Sequence, residues 1–148
     1  MEEKELLGGQ ELLKKIKDFF PAPEVDPRTY SPLALAFIGD GIYELVIRTM
    51  VVTKANRANH DLHQATVKYV KAENQAKMVE ILKPVLTEEE AAVLRRGRNA
   101  KPNSVAKNAS LGEYHRATGV EALFGYLYLT GRTDRMLELI KLGVEGLG

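Results

Sequence analysis

The 148-residue chain, with 45% hydrophobic and 28% charged residues, has the length and composition of one soluble domain with its own hydrophobic core. The absence of cysteine excludes disulfides and thiolate metal sites, and no apolar stretch reaches the roughly 18 to 20 uncharged residues of a membrane span. The net charge of +1 indicates no particular partner, and the acidic N-terminus lacks the basic start of a signal peptide, so we expect a cytoplasmic protein.

The N-terminal third of the chain predicts two helices and a connector. Residues 10–20 predict a short amphipathic helix with one apolar face. That face consists of Leu12, Leu13, Ile16, Phe19 and Phe20. Four prolines between residues 21 and 32 predict an extended connector. Residues 33–53 are rich in apolar side chains on every side, which predicts a central helix.

The middle of the chain predicts one long helix followed by a shorter one. Residues 59–82 form the long helix, ended by Pro84. Its inward positions are expected to be Leu62, Ala65, Val70, Met78, Val79 and Leu82. Thr87 and Glu90 have the spacing of a capping box, which opens the next helix, and this helix is expected to end near Gly97.

The C-terminal part predicts a loop and two more helices. Residues 98–103 are expected to form the loop, because they contain Asn99, Pro102 and Asn103. The next helix starts at about Ser104 or at Leu111 and continues to residue 129. Thr133 is expected to cap the last helix, with Leu137, Ile140 and Val144 facing inward. Since no segment shows the alternation of apolar and polar residues that is typical of a β-strand, the predicted fold class is all-α.

Two acidic residues stand alone in apolar helices. Asp40 is the only charge in residues 33–43, and Glu121 is the only charge in residues 117–131. A carboxylate taken out of water costs several kcal/mol unless it is paired, hydrogen-bonded or bound to a metal. Two such residues suggest a site that uses negative charge. The alternative is that each acid hydrogen-bonds to a neighbouring backbone where two helices cross.

The surroundings of Asp40 favour a close approach by another group. It lies between Gly39 and Gly41, although glycine in a helix costs about 1 kcal/mol relative to alanine. If the fold brings Asp40 and Glu121 together, their repulsion requires a cation between them. Two carboxylates and several waters suit Mg²⁺, for which Mn²⁺ is expected to substitute.

Other polar residues near these helices allow two interpretations each. Glu44 lies one turn after Asp40 and either supports it or, as we favour, pairs with Arg48 at the surface. His60 and His63, three residues apart, could begin a metal site. Because no third ligand is near them in the sequence, a solvated or RNA-facing role is favoured.

A basic segment lies in residues 91–112, which contain five basic residues and no acid. These residues are Arg95, Arg96, Arg98, Lys101 and Lys107. They predict a phosphate-binding surface, although Arg95 and Arg96 could instead only stabilise the end of the preceding helix. A carboxylate-bound metal beside a cationic loop is suited to phosphodiester hydrolysis.

Two motifs resemble those of ribonuclease III. Residues 35–40, Leu-Ala-Phe-Ile-Gly-Asp, are similar to its signature helix, Leu-Glu-Phe-Leu-Gly-Asp, and Asp40 falls on the metal-binding aspartate. Residues 118–129 resemble its second motif, Asp-x-Phe-Glu-Ala-Leu-x-Gly-Ala-x-Tyr-Leu, and Glu121 falls on the metal-binding glutamate. The resemblance implies that these two acids are catalytic and hold Mg²⁺.

The chain departs from ribonuclease III in two ways. Ala36 and Thr118 stand where that family has two more acids, and the residues after the second motif are too few for a double-stranded-RNA-binding domain. This combination is similar to the Mini-ribonuclease III family, which has the nuclease domain alone. The expected organisation is a single ribonuclease III-like domain over residues 1–148, with an N-terminal helix and Pro-rich connector in 1–29 and the nuclease core in 30–147.

The resemblance carries expectations that the residues alone do not. It implies a homodimer whose subunits form a valley over double-stranded RNA, with Phe37 at the subunit contact. Hydrolysis would leave 5′-phosphate and 3′-hydroxyl ends. The expected substrate is the precursor of the large-subunit (23S) ribosomal RNA, and a ribosomal protein is a further candidate partner.

Two other functions remain open at the level of the sequence. The missing acids at Ala36 and Thr118 would also fit a catalytically silent ribonuclease III-like domain that binds RNA or ribosomes. Retention of Asp40 and Glu121 argues against it, because a binding protein does not need either acid. A helical protein-interaction module would explain the core but neither the two acids nor the basic segment.

Overall fold

The computed structural model describes residues 9–100 and 110–148, with side chains from residue 12 onward. Within these ranges the backbone forms helices and contains no strand, which confirms the predicted all-α class. The α-helices are Gly9–Phe19 (α1), Pro32–Lys54 (α2), Asn59–Val70 (α3), Ala72–Leu82 (α4), Glu88–Asn99 (α5), Leu111–Leu129 (α6) and Thr133–Leu147 (α7). Two short 3-10 helices span Pro27–Thr29 and Lys83–Val85.

Helix α6 is the centre of the fold. It is buried along most of its length, with α2, α4 and α5 packed against it and α7 against α4. The rings of Tyr43 and Phe124 stack with their centroids 5.5 Å apart, and the Tyr43 hydroxyl donates to the carbonyl of Tyr69 at 2.8 Å. Although α2 and α6 are the longest helices, none in the described ranges is long and apolar enough to cross a membrane.

The prediction of one helix over residues 59–82 was wrong, because the chain breaks at Lys71. Its backbone is extended there (φ −58°, ψ 139°), and this separates α3 from α4. The buried side chain of Gln75 donates to the carbonyl of Val70 at 3.3 Å, and Asn74 donates to the carbonyl of Lys68. These bonds replace the backbone hydrogen bonds that a continuous helix would make across the break. The sequence has no glycine or proline there from which the break could be predicted.

The boundaries of α5 and α6 follow their caps. The predicted capping box of Thr87 and Glu90 is present, but α5 continues past Gly97 to Asn99. The first two residues of the predicted loop are therefore helical. Ser110 and Glu113 form a second capping box, so α6 begins at Leu111, and the alternative start at 104 lies outside the described residues.

The start of α7 also differs from the prediction. Thr133 is the first helical residue rather than its cap, and Arg132 occupies the cap position without a side-chain cap bond. A turn through Gly131, whose φ is 76°, leads into it. Ile140 is buried as predicted, whereas Leu137 is exposed, so the inward face of α7 is rotated from the expected one.

The N-terminal helix forms as predicted but remains largely uncovered. Leu13 packs against the core. The other four members of the predicted apolar face are exposed, and they are Leu12, Ile16, Phe19 and Phe20.

Among the described residues, the acid with the smallest exposed fraction is Glu90, which the sequence identified only as a capping residue. Glu90 is 2% exposed and accepts two hydrogen bonds of 2.8 Å from Arg135. This contact, together with the cap bond to Thr87, holds the pKa of Glu90 below its usual range despite burial. Because Arg135 lies on α7, the pair joins α5 to α7 with a charge that neither helix could bury alone.

Candidate active site

Asp40 and Glu121 are brought together where α2 crosses α6. At the crossing, a Cβ on Gly39 would overlap the carbonyl oxygen of Glu121, and a Cβ on Gly125 would overlap the carbonyl oxygen of Leu35. The two backbones are therefore in contact without any side chain between them. This approach places the carboxyl of Glu121 within hydrogen-bonding reach of Asp40.

The two glycines that flank Asp40 have different surroundings. Gly39 is needed for the crossing, whereas a Cβ on Gly41 would meet nothing within 4 Å. The close approach expected from the sequence therefore occurs at Gly39 and not at Gly41. The group that approaches Gly39 is the backbone of α6.

This difference predicts opposite outcomes for two alanine substitutions. Gly39→Ala is expected to destabilise the protein by about 3 kcal/mol or more, because α2 and α6 must move apart. Gly41→Ala is expected to leave stability unchanged or to raise it by up to about 1 kcal/mol, since alanine is the better helix former. Urea unfolding of both variants measures the difference, and equal destabilisation by the two would contradict the crossing geometry.

The two acids differ in their exposure to water. Glu121 is partly buried, and this burial, followed by the hydrogen bond and the like charge of Asp40, raises its pKa to about 9. Asp40 is exposed at the surface of α2, which corrects the expectation that both acids are withdrawn from water. The pair therefore lies at the edge of the core, open to a ligand on the side of Asp40.

The donor set fits a divalent cation that keeps most of its water. Like charges this close favour protonation of one acid unless a cation lies between them. In the described ranges, no group of three or more His, Cys, Asp or Glu side chains could hold a metal ion. Two carboxylates with water in the remaining positions are typical of Mg²⁺ sites that also bind a substrate phosphate.

Ala36 and Thr118 are both built into the packing around this site. Ala36 is buried in an apolar cluster with Val93 and Ala122. The hydroxyl of Thr118 donates back to the carbonyl of Tyr114 at 2.9 Å. Neither position supplies a carboxylate, and among the described residues the site has two acids.

The neighbouring polar residues take the simpler of their predicted roles. Glu44 accepts hydrogen bonds of 2.6 and 3.0 Å from Arg48, which confirms the surface pair. His60 and His63 are exposed on α3. Since the described residues contain no three-ligand metal cluster, a metal site at the two histidines gains no support.

The basic segment is described in part. Arg95, Arg96 and Arg98 lie in the last two turns of α5, the first two exposed and Arg98 partly buried beside Gly119. The backbone of Ala100 donates the final cap bond of α5, and Arg96 and Arg98 lie in its last turn, where a positive charge favours the helix end. The remaining two predicted RNA-binding residues, Lys101 and Lys107, lie outside the described residues.

An apolar stripe runs along the outer surface of α2. Phe37 is 82% exposed, and Leu45 and Val52 are exposed on the same face of the helix. The Glu44–Arg48 pair lies between them. Exposed apolar side chains that share one face of a helix mark a candidate contact surface.

Comparison with known proteins agrees with the motifs and the fold. The model of the Ribonuclease III domain family matches residues 33–132. A Mini-ribonuclease 3 from Thermoanaerobacter sp. (strain X514) is 49% identical over 115 residues, covering 78% of this chain and 81% of that protein. Another, from Clostridium tetani, is 43% identical over 121 residues, covering 81% and 80%.

A solved structure has the same fold. The crystal structure of a protein from Fusobacterium nucleatum superposes with a TM-score of 0.75 at 29% identity, covering 83% of this chain and 98% of that one. The family match spans both acidic positions and the whole α2–α6 crossing. The chain therefore belongs to the Mini-ribonuclease III family of ribonuclease III-type endoribonucleases.

Proposed function

We propose that this protein is a metal-dependent endoribonuclease that cleaves double-stranded RNA. The observation that carries the proposal is the adjacency of Asp40 and Glu121 at the α2–α6 crossing, with one carboxylate exposed. Burial, with the neighbouring Asp40, raises the pKa of Glu121, and a bound cation would favour the ionised form of both acids. Membership of the ribonuclease III family supports this use of the pair.

Asp40 and Glu121 would hold Mg²⁺ directly or through water. When bound, the ion supplies positive charge that stabilises the negative charge developing on the scissile phosphate, and it lowers the pKa of a coordinated water. Because Ala36 and Thr118 contribute no carboxylate, the protein provides few ligands of its own. Metal affinity is therefore expected to be weak until RNA phosphate joins the site. Hydrolysis would leave 5′-phosphate and 3′-hydroxyl ends.

The arginines of α5 would bind the RNA backbone. Arg95 and Arg96 are exposed cations in a part of α5 that has no acid, and Arg98 lies beside α6, the helix that carries Glu121. Lys101 and Lys107 continue the same basic segment in the sequence. Contacts of this kind recognise the shape of duplex RNA more than its sequence.

The apolar stripe of α2 would form a homodimer contact that includes Phe37. Phe37→Glu is expected to shift the protein to monomers, because a charge would replace a large apolar side chain in a symmetric contact. Gel filtration with light scattering at micromolar concentration measures the mass. Val85→Glu, an exposed apolar position outside α2, is the matched control and should keep the parent mass. A monomeric parent protein would contradict the dimer.

The biological substrate we propose is the precursor of the large-subunit (23S) ribosomal RNA, in the cytoplasm, with a ribosomal protein as a candidate helper. The unit that acts on it would be a single domain over residues 1–148, with 1–29 as an N-terminal extension of the nuclease core. The family match begins at residue 33, which supports that division.

The alternative is a catalytically silent domain that binds structured RNA or ribosomes, favoured by the acids missing at Ala36 and Thr118. Incubation of purified protein with a labelled precursor stem, in Mg²⁺ or in EDTA, separates the two. Discrete cuts that require Mg²⁺ are the expected result. Binding without cleavage in either condition would support the silent domain.

A further inference from the structure

A groove of about 690 Å³ opens where the end of α4, the end of α5 and the first turns of α6 meet. Each of the three elements contributes a cation to its wall. These are Lys83 after α4, Arg98 on α5 and Arg116 on α6. A concave surface lined by one sign of charge concentrates the electrostatic potential inside it.

The acids near the groove do not cancel this charge. Glu80 lines it and lies 3.6 Å from the ammonium of Lys83, but the two side chains are 74% and 51% exposed. A surface pair of this kind is worth about 0–1 kcal/mol and leaves Lys83 free to turn toward a phosphate. Glu113, in the first turn of α6, is engaged by the backbone N–H of Ser110 at 3.2 Å.

The groove also contains a polar group without a partner. The Nδ1 atom of His115 is buried and has no hydrogen-bond partner among the described residues. Buried polar atoms are normally satisfied, so the described packing beside the groove leaves one hydrogen-bonding atom of His115 unused. Gly112, in the first turn of α6, also lines the groove. The positive end of the α6 dipole therefore adds to the positive potential in the groove.

We propose that this groove binds backbone phosphates of the RNA at a distance from the bond that is cut. Two guanidiniums and an ammonium are the groups that suit phosphate oxygens. The inference rests on the proposed function and adds Lys83 and Arg116 to its RNA-binding surface. Neither residue belongs to the basic segment predicted from the sequence.

The placement of the groove favours a polymer over a small anion. Arg116 and Glu121 are five residues apart on α6, which separates them by about 7.5 Å along the axis and by about 140° around it. The groove and the acidic pair therefore lie on different sides of α6. A nucleotide or a free phosphate would occupy only one of the two surfaces, whereas an RNA strand is long enough to contact both.

The test uses the full-length Asp40→Asn protein, so that the RNA remains intact, and a fluorescein-labelled precursor stem. Lys83→Gln and Arg116→Gln are added singly and together. Lys77→Gln is the matched control, because Lys77 is exposed on α4, lies 3.7 Å from Glu73 and does not line the groove. Fluorescence anisotropy gives the dissociation constant over a series of KCl concentrations.

Each groove substitution is expected to weaken binding by about three- to tenfold and to reduce the salt slope of log K by about 1. The double variant should lose about 2 from the slope, and Lys77→Gln should leave both quantities unchanged. With Asp40 restored, the groove variants should raise KM and keep kcat. A double variant with the affinity and slope of the parent would overturn the proposal.

Failure of the groove and failure of the proposed nuclease give different results. Cleavage by the Asp40→Asn protein would reject the catalytic pair, while the salt slopes would still decide the groove. Normal cleavage with unchanged slopes would reject the groove alone. Polyglutamate tests an acidic protein as the alternative occupant of the groove. If the double variant loses polyglutamate binding but keeps the parent's salt slope for RNA, the RNA assignment is overturned.

Discussion

Replacement of Asp40 by asparagine is expected to lower the rate of RNA cleavage by about a thousandfold or more, which corresponds to about 4 kcal/mol of transition-state stabilisation. The substitution keeps the size of the side chain and removes one charge from the proposed metal site. Because Asp40 is exposed, the core is not disturbed. RNA affinity should stay unchanged or increase slightly, since an acid that repels the backbone is lost.

Single-turnover cleavage of a labelled stem in Mg²⁺, with binding measured in parallel, separates the two effects. Asp134→Asn is the matched control, because Asp134 is an exposed acid in the first turn of α7. It should cleave at the parent rate. Cleavage by Asp40→Asn at nearly that rate would remove Asp40 from the catalytic site.

Glu121→Gln is expected to abolish cleavage and, at the same time, to stabilise the metal-free protein. The folded state holds a proton on Glu121 up to about pH 9, whereas an ordinary glutamate loses it near pH 4.5. Because the pKa of Glu121 is higher in the folded state, the protonated Glu121 contributes fully to stability below about pH 4.5. This contribution is lost as the pH rises toward 9. Glutamine does not titrate and avoids this loss.

The stability difference should therefore grow between pH 5 and pH 9, to on the order of 1 to 3 kcal/mol. Thermal melting in EDTA at several pH values measures it. Addition of Mg²⁺ or Mn²⁺ should raise the Tm of the parent and not that of Glu121→Gln, because only the parent has both carboxylates.

Glu73→Gln is the control for this experiment, since Glu73 is an exposed glutamate on α4 that lies 3.7 Å from the ammonium of Lys77. Its Tm should follow the pH profile of the parent. Glu121→Gln with the same pH profile as the parent would show that burial and Asp40 do not raise the pKa of Glu121 as the structure indicates.

Much of the local structure could be predicted from the sequence. The capping box of Thr87 and Glu90 and the apolar pattern of α2 are determined by residues close together in the chain, so their helices were found to within a few positions. The break at Lys71 was not, because it depends on side chains that bond across it rather than on a helix-breaking residue.

The RNA-binding surface shows the same division. The basic segment in residues 91–112 is a linear pattern and can be read directly. Lys83 and Arg116 lie outside it, and the groove that contains them exists only because α4, α5 and α6 meet at one end. No spacing in the sequence relates these residues to each other.

The sequence by itself determined that the chain is all-α and that two isolated acids, Asp40 and Glu121, lie in apolar helices. Only the tertiary structure decided that these acids are neighbours, because Gly39 and Gly125 let the two backbones touch. It also decided that Glu90 has the smallest exposed fraction of the described acids, with a partner, Arg135, that lies 45 residues away in the sequence. A charged side chain can be buried only if the fold places a group of opposite charge beside it. That partner cannot be predicted from the residues close to it in the sequence.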